Sequence, residues 1–333
     1  AKWYCVMKEN FDTIIVDQEG DLTWITLNRP EVANAFNTRM AEELLVVFSE
    51  FVSGARSTRC VILTGTGERA FCAGGDLKQR HGMTDEEWYA QHVVFEDLAR
   101  ALMDCPVPIL GAINGAAYGG GTELTLACDF AYAAKHARFA LTETTLGIMP
   151  GMAGTQYLPR AVGIRRAKEI ILTGRPFSAE QALEWGLVNE LCEPEALLES
   201  VRATAQRIAD NGPIAIQGAL KAINNAGFSS LKQDYEVELA SYNKTVPTKD
   251  RREGIAAFNI KVTDLASNIS NSKTSTDDIS SVKVDLTKPE KDTVLITSNN
   301  QLDPNLAKEG DTVTLTFTLN ESIQKPVVTI NNY

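Results

Sequence analysis

Histidine is scarce in this chain of 333 residues: only His81, His92 and His136 occur, and their spacing matches no metal-binding pattern. They read as surface residues or supports for other side chains, and no metal site is expected. The six cysteines, Cys5, Cys60, Cys72, Cys105, Cys128 and Cys192, include no C-x-x-C pair. That excludes a zinc ribbon or a dense disulfide framework and fits reduced thiols in the cytoplasm. Long apolar runs are also missing, since the weakly polar stretch from Val107 to Ala127 is broken by Asn114, Glu123 and several glycines. No membrane span is expected, and residues 1–10 lack the apolar segment of a signal peptide. Basic residues are outnumbered, 32 against 43 acidic, giving a net charge of -11 and a pI near 4.9. Such a balance argues against nucleic acid or an acidic membrane as partner.

What is present is an ordinary globular composition, 44% hydrophobic and 23% charged, in a chain long enough for more than one domain. Composition changes after Asn259. Residues 260–333 contain no Arg, His, Cys or Trp, and Ser, Thr and Asn supply 27 of the 74. From Thr312 to Leu319 the alternation Thr-Val-Thr-Leu-Thr-Phe-Thr-Leu has a period of two and predicts a strand with Val313, Leu315, Phe317 and Leu319 on one face. Shorter strands are expected at Val282–Leu286, Val294–Thr297 and Val327–Ile330. The first 259 residues instead alternate β-branched runs with helical periodicity. Ile14–Val16 and Leu22–Leu27 read as a hairpin, Cys60–Thr64 as a buried strand, and Arg39–Phe51 as a helix with Leu44, Leu45, Phe48 and Phe51 in one stripe. Thr84-x-x-Glu87 and Ser178-x-x-Gln181 are capping-box spacings. This β-then-α order predicts parallel strands covered by helices.

Three segments pair glycines with an acid: Ala70-Phe-Cys-Ala-Gly-Gly-Asp-Leu-Lys78, Asn114-Gly-Ala-Ala-Tyr-Gly-Gly-Gly-Thr-Glu123 and Glu143-Thr-Thr-Leu-Gly-Ile-Met-Pro-Gly151. The triple glycine precedes an apolar helical stretch, so its N–H groups can sit at a helix N-terminus and bind developing negative charge. A second donor from Gly75 would complete an oxyanion hole; equally, the glycines can serve a turn or close packing. Glu123 opens an apolar helix, where an unpaired carboxylate is costly. Either it meets Glu143, twenty residues on, to form an acid/base pair with separated pKa values, or it complements the helix dipole while Glu143 is an exposed loop acid.

These blocks, together with Leu27-Asn-Arg-Pro30, Asn34-Ala35, Pro108–Gly121 and Leu172-Thr-Gly-Arg175 with Ala182–Val188, resemble the crotonase family, the enoyl-CoA hydratase/isomerase superfamily, from about Phe11 to Asn259. The resemblance implies an α/β fold, a spiral of ββα turns with C-terminal helices, assembled as a trimer or a dimer of trimers and acting on an acyl-CoA thioester. Coenzyme A belongs to the substrate; no separate cofactor is implied. Carried over, Gly75 and Gly120 match the oxyanion donors, Ala35 and Ala73 lie where CoA passes, and Gly75, Asp76, Leu77 and Lys78 line the substrate. Glu123 and Glu143 match the two glutamates of the hydratases. The implied reaction is syn addition of water across C2=C3 of an enoyl-CoA, with Glu143 donating the proton to C2, Glu123 activating the water and the Gly151 backbone positioning it.

A finer resemblance, through Asp76-Leu-Lys-Gln-Arg80, Leu158-Pro-Arg-Ala-Val-Gly163 and Thr245-Val-Pro-Thr-Lys-Asp-Arg251, is to the methylglutaconyl-CoA hydratase branch. Two departures stand out: Met152-Ala153-Gly154-Thr155-Gln156-Tyr157 replaces a Gly-Gly-Thr-Gln-Arg run, and after Asn259 the family's basic, aromatic tail is absent. Residues 260–333 resemble fragments of bacterial Ig-like repeats, so the expected organisation is an extension at 1–10, a catalytic domain at 11–259 and a β-rich segment, foreign or fused, at 260–333. The alternatives are an isomerase or another crotonase-family lyase, and a surface-binding protein with an inactive crotonase-like domain.

Overall fold

The computed structural model describes residues 11–226 and 230–259, with side chains to residue 254, and the backbones of two strands at 291–298 and 313–319. Two compact units divide the chain, Ala1–Tyr242 and Asn243–Tyr333. In the first, β1 (Ile14–Glu19) and β2 (Leu22–Leu27) form the expected antiparallel hairpin. It is followed by α1 (Thr38–Ser53), β3 (Cys60–Gly65), β4 (Ala70–Cys72), α2 (Leu77–Arg80) and α3 (Asp85–Met103). Next come β5 (Ile109–Ile113), β6 (Ala116–Tyr118), α4 (Gly120–Ala127), β7 (Phe130–Ala134) and β8 (Arg138–Ala140). The chain continues through α5 (Gly154–Val162), α6 (Ile164–Thr173), β9 (Phe177–Ser178), α7 (Ala179–Glu184), β10 (Glu190–Cys192), α8 (Leu197–Ala209) and α9 (Pro213–Asn225). Helix α10 (Leu231–Thr245) runs past the division, and α11 (Lys249–Asn259) lies beyond it.

Local chemistry explains several of these boundaries. The Asn37 side chain caps α1 by accepting from Met40 N at 2.9 Å, and the helix ends at Gly54 in the left-handed region. Met40, Leu44, Val47, Phe48 and Phe51 form its buried stripe, while Leu45 is half-buried. Both capping boxes form, Thr84 with Glu87 on α3 and Ser178 with Gln181 on α7.

Two sheets result. The larger has the order β1-β2-β3-β5-β7-β10, parallel from β2 onward; the smaller has the order β4-β6-β8-β9, with β4, β6 and β8 parallel and β9 antiparallel. Each turn of the chain contributes one strand to the first sheet, a short strand to the second, and then helix: β3, β4 and α2–α3, then β5, β6 and α4. This is the ββα spiral. Every residue of β3 is buried, as expected of a parallel strand covered on both faces. Gly121 permits the close approach of α4 to β4, since a Cβ there would lie 2.1 Å from the Cys72 carbonyl oxygen.

In the second unit, β11 (Lys291–Ser298) and β12 (Val313–Leu319) pair antiparallel, matching two of the expected strands. One hairpin-like pair is not a sandwich, and Val282–Leu286 and Val327–Ile330 lie outside the described residues, as do residues 1–10. Among the described residues no helix is long and apolar enough to cross a membrane.

Glu43 on α1 ties the start of this unit together. Its buried carboxylate accepts from Asp12 N at 2.7 Å, Thr13 N at 2.9 Å and the Thr13 hydroxyl, and lies 2.9 Å from Arg39 Nε. Burial pushes its pKa up, but these hydrogen bonds and Arg39 outweigh that and hold it below the ordinary 4.5. A lowered folded-state pKa stabilises above the unfolded value and is lost as pH falls through the folded one. Glu43→Gln is therefore expected to cost about 1–3 kcal/mol at neutral pH. Urea denaturation should show that deficit closing in acid below pH 4.5.

Candidate active site

Because β4, β6 and β8 are parallel neighbours, their carboxyl ends lie side by side, and the loops leaving them converge. These loops are the three glycine-acid segments of the sequence. They border a cavity of about 690 Å³ whose lining includes Ala73, Gly75, Leu77, Gly120, Glu123, Glu143 and Gly151. The loop after β4 is pinned by Phe36, whose N–H donates to Gly74 O at 2.7 Å and whose carbonyl accepts from Asp76 N at 2.9 Å. That leaves Gly75 N without a backbone acceptor among the described residues. Gly120 is the first residue of α4, so its N–H also lacks an intrahelical partner, and a Cβ built there would point into open space. Two free N–H groups thus border one cavity.

Glu123 sits in the first turn of α4 and is 3% exposed. Its Oε1 accepts from Met152 N at 2.7 Å and Gly154 N at 2.9 Å. Gly154 must be glycine for this contact, since a Cβ would come within 2.8 Å of the same oxygen. Burial pushes the Glu123 carboxyl up to about 7; the nearby Glu143 adds to the rise, and backbone N–H donors oppose it. Glu143 opens a short 3-10 turn (Glu143–Leu146), and its Oε2 is buried without a hydrogen-bond partner. Burial raises its pKa too, while the charge of Arg80 pulls it down. Both carboxyls are therefore raised above the ordinary value, and the Glu143 charge adds to the rise at Glu123, an arrangement suited to taking a proton at one and giving it at the other.

A family model described as enoyl-CoA hydratase/isomerase matches residues 17–264. The chain belongs to the enoyl-CoA hydratase/isomerase family. It is 34% identical over 247 residues to the short-chain-enoyl-CoA hydratase of Clostridium acetobutylicum, covering 74% of this chain and 94% of that protein. To the crotonyl-CoA hydratase of Syntrophomonas wolfei it is 33% identical over 251 residues, covering 74% and 95%. The crystal structure of an enoyl-CoA hydratase from Bacillus anthracis matches with a TM-score of 0.72 at 45% identity, over 74% of this chain and 96% of that one. The crotonase-like α/β fold is thereby established. The resemblance of residues 260–333 to Ig-like repeats gains no support, because these matches concern the hydratase-like part. Members of this family act on acyl-CoA thioesters.

Three residues expected at the family's substrate site do not border the cavity. Asp76 forms an ion pair with Arg29 at 2.9 Å and caps α2 through Lys78 N and Gln79 N, so it shapes the glycine loop. Ala35 is buried and its carbonyl accepts from the same Arg29 at 2.7 Å, while Lys78 is exposed on α2. Conversely, Arg80, Trp88, His92 and Met152 line the cavity without having been named as individual site residues, although Trp88 and His92 fall in the stretch from Met83 to Leu98 that the family resemblance implies as a pocket wall. His92, expected at the surface or in support, has its ring against Gly151, where a Cβ would meet Cε1 at 2.8 Å. Its distance from the glycine motifs along the chain hid this. The five cysteines among the described residues are free and buried; burial pushes the Cys60, Cys72 and Cys105 thiols up to about 12, which makes them poor nucleophiles.

A carboxyl raised from 4.5 to about 7 by folding opposes stability increasingly as pH rises through that window, fully so above it, and not at all below 4.5. Glu123→Gln keeps an oxygen for Met152 N and Gly154 N but carries no charge. The variant should therefore melt several degrees above the parent near pH 8, with the gap shrinking toward zero near pH 5 in parallel thermal scans. A gap independent of pH would contradict the burial argument.

Proposed function

We propose that the protein is an enoyl-CoA hydratase, a hydro-lyase adding water across the C2=C3 double bond of an enoyl-CoA. The observation that carries this reading is the pairing of Glu123 and Glu143 on one cavity with the free N–H groups of Gly75 and Gly120. The thioester carbonyl accepts from both N–H groups, which stabilise the enolate oxygen more strongly than the ground-state carbonyl. Glu123, with Oε1 fixed by Met152 and Gly154, uses its other oxygen to hold and deprotonate the water, assisted by the Gly151 backbone. The oxygen bonds to C3, the C2=C3 pair shifts toward the thioester, and Glu143 delivers a proton to C2. The proton taken by Glu123 and the one given by Glu143 balance, and exchange with solvent resets the pair. No cofactor takes part in these steps, since CoA enters and leaves as the thioester. Cytoplasmic thiols and an assembly of three or six copies fit the same reading as expectations.

Glu123→Gln and Glu143→Gln are each expected to lower kcat for crotonyl-CoA hydration by about 10²–10⁴-fold while the far-ultraviolet spectrum stays that of the parent. The assay is loss of the conjugated thioester absorbance with the full chain. Near-parental rates in either variant would overturn the two-glutamate mechanism. Double-bond migration without 3-hydroxyacyl product would identify an isomerase instead.

A further inference from the structure

One stretch of the site has no regular structure to hold it. Residues 149–152 make no backbone–backbone hydrogen bond among the described residues, and Ala153, which follows them, sits in the left-handed region at φ 67°. An alanine there is strained and persists only where its surroundings over-determine it. Yet this strap supplies Met152 N and Gly154 N to Glu123 Oε1, at 2.7 and 2.9 Å. Something besides its own backbone has to hold it.

Helix α3 brings the contact that does so. The His92 ring lies so close to Gly151 that a Cβ there would sit 2.8 Å from Cε1 and 3.6 Å from each ring nitrogen. Glycine at 151 is what lets the strap reach the ring. The ring stands on a fixed platform. Beside it, the buried Gln91 donates to Thr38 Oγ1 at 2.7 Å and to Gln79 Oε1 at 3.1 Å, which ties α3 to α1 and α2. The buried Phe95 packs on Phe36 with ring centroids 4.9 Å apart, and Phe36 is the residue that pins the glycine loop after β4. His92 Nε2 lies 3.6 Å from Glu96 Oε1, and Glu96 is held by Arg100 at 2.9 Å. The packed part of the fold therefore ends in an imidazole laid on the strap.

We propose that His92 is a positioning residue whose ring clamps residues 150–154 and so keeps Met152 N and Gly154 N aimed at the Glu123 carboxylate. Its part in catalysis rests on the hydratase reading; the clamp itself does not. The ionisable side chains that share the cavity with His92 are Glu96 and Arg100 on its own helix, Arg80 on α2, Glu123 on α4 and Glu143 on the 3-10 turn. The atom nearest the glycine is a ring carbon, so the contact acts by packing, and an apolar ring at 92 serves as well as imidazole. Without a ring the strap relaxes. The N–H donors that oppose the rise at Glu123 then weaken, and its carboxyl keeps its proton to higher pH.

The test compares His92→Ala and His92→Phe in the full chain, with crotonyl-CoA as substrate. His92→Ala should lower kcat by about 10- to 100-fold, with KM changed by less than about threefold. It should also move the acid limb of the kcat/KM profile upward by about half a pH unit or more. A second readout needs no turnover. Glu123→Gln is introduced into the parent and into each variant, and the melting gap between each pair is followed with pH. A higher folded-state pKa at Glu123 makes that gap go on widening to higher pH in the His92→Ala pair than in the parent pair. His92→Phe should return the acid limb and the gap to parental positions. An acid limb and a gap unmoved by His92→Ala would overturn the clamp, as would equal movement in both variants, which would assign the effect to the charge or hydrogen bonding of the imidazole. If the parent does not hydrate crotonyl-CoA but the gap shifts in His92→Ala and returns in His92→Phe, the hydratase reading falls and the clamp stands.

Discussion

A carboxylate placed in the first turn of an apolar helix, 3% exposed and without an ion-pair partner among the described residues, is the constraint around which the rest of this molecule is arranged. Glu123 can remain there only because Met152 and Gly154 turn their N–H groups onto one oxygen. That in turn requires glycine at 154 and an irregular backbone between Gly151 and α5, with Ala153 in the left-handed region. The same burial that makes the group costly raises its proton affinity into the range where acid/base work at neutral pH is efficient. Stability and chemistry are thus set against each other at a single side chain.

The geometry around it follows from the smaller sheet. Three short parallel strands, β4, β6 and β8, have no room for long side-chain ladders, but their alignment carries three loops to one place. Gly75 comes from the first, Gly120 and Glu123 from the second, Glu143 from the third. Helix α3 closes the cavity with Trp88, His92 and Phe95 and, through Gln91, orients Arg80 from α2. Gly75 and Arg80 thus come from one turn of the spiral, Gly120 and Glu123 from the next, and Glu143 from the segment after β8.

Much of this was legible in the residues. Thr84 and Ser178 mark helix starts through hydrogen bonds that are local in sequence, and the hairpin of β1 with β2 and the α1 stripe follow from short periods. The three glycine-acid segments announced the site because an acid beside glycines in apolar sequence needs an explanation. Asp76 and Lys78, in contrast, shared a motif with Gly75 but point elsewhere: a motif records which residues are adjacent along the chain, whereas helix α2 turns successive side chains to different directions. The contact of His92 carried no local signal, since Gly151 is brought up to it by another turn.

The sequence by itself determined the alternation of strands and helices, the capping boxes at Thr84 and Ser178 and the break in composition after Asn259, because these depend on neighbours a few residues away or on residue type. Only the tertiary structure decided that Gly75 and Gly120 line one cavity, that Glu123 takes its partners from residues 152 and 154, and that Arg80 borders the same cavity with Nε on Gln91. The physical reason is that burial, shared protons and unpaired donors arise between segments far apart in the chain. Packing of the ββα turns, and not spacing along them, sets those distances.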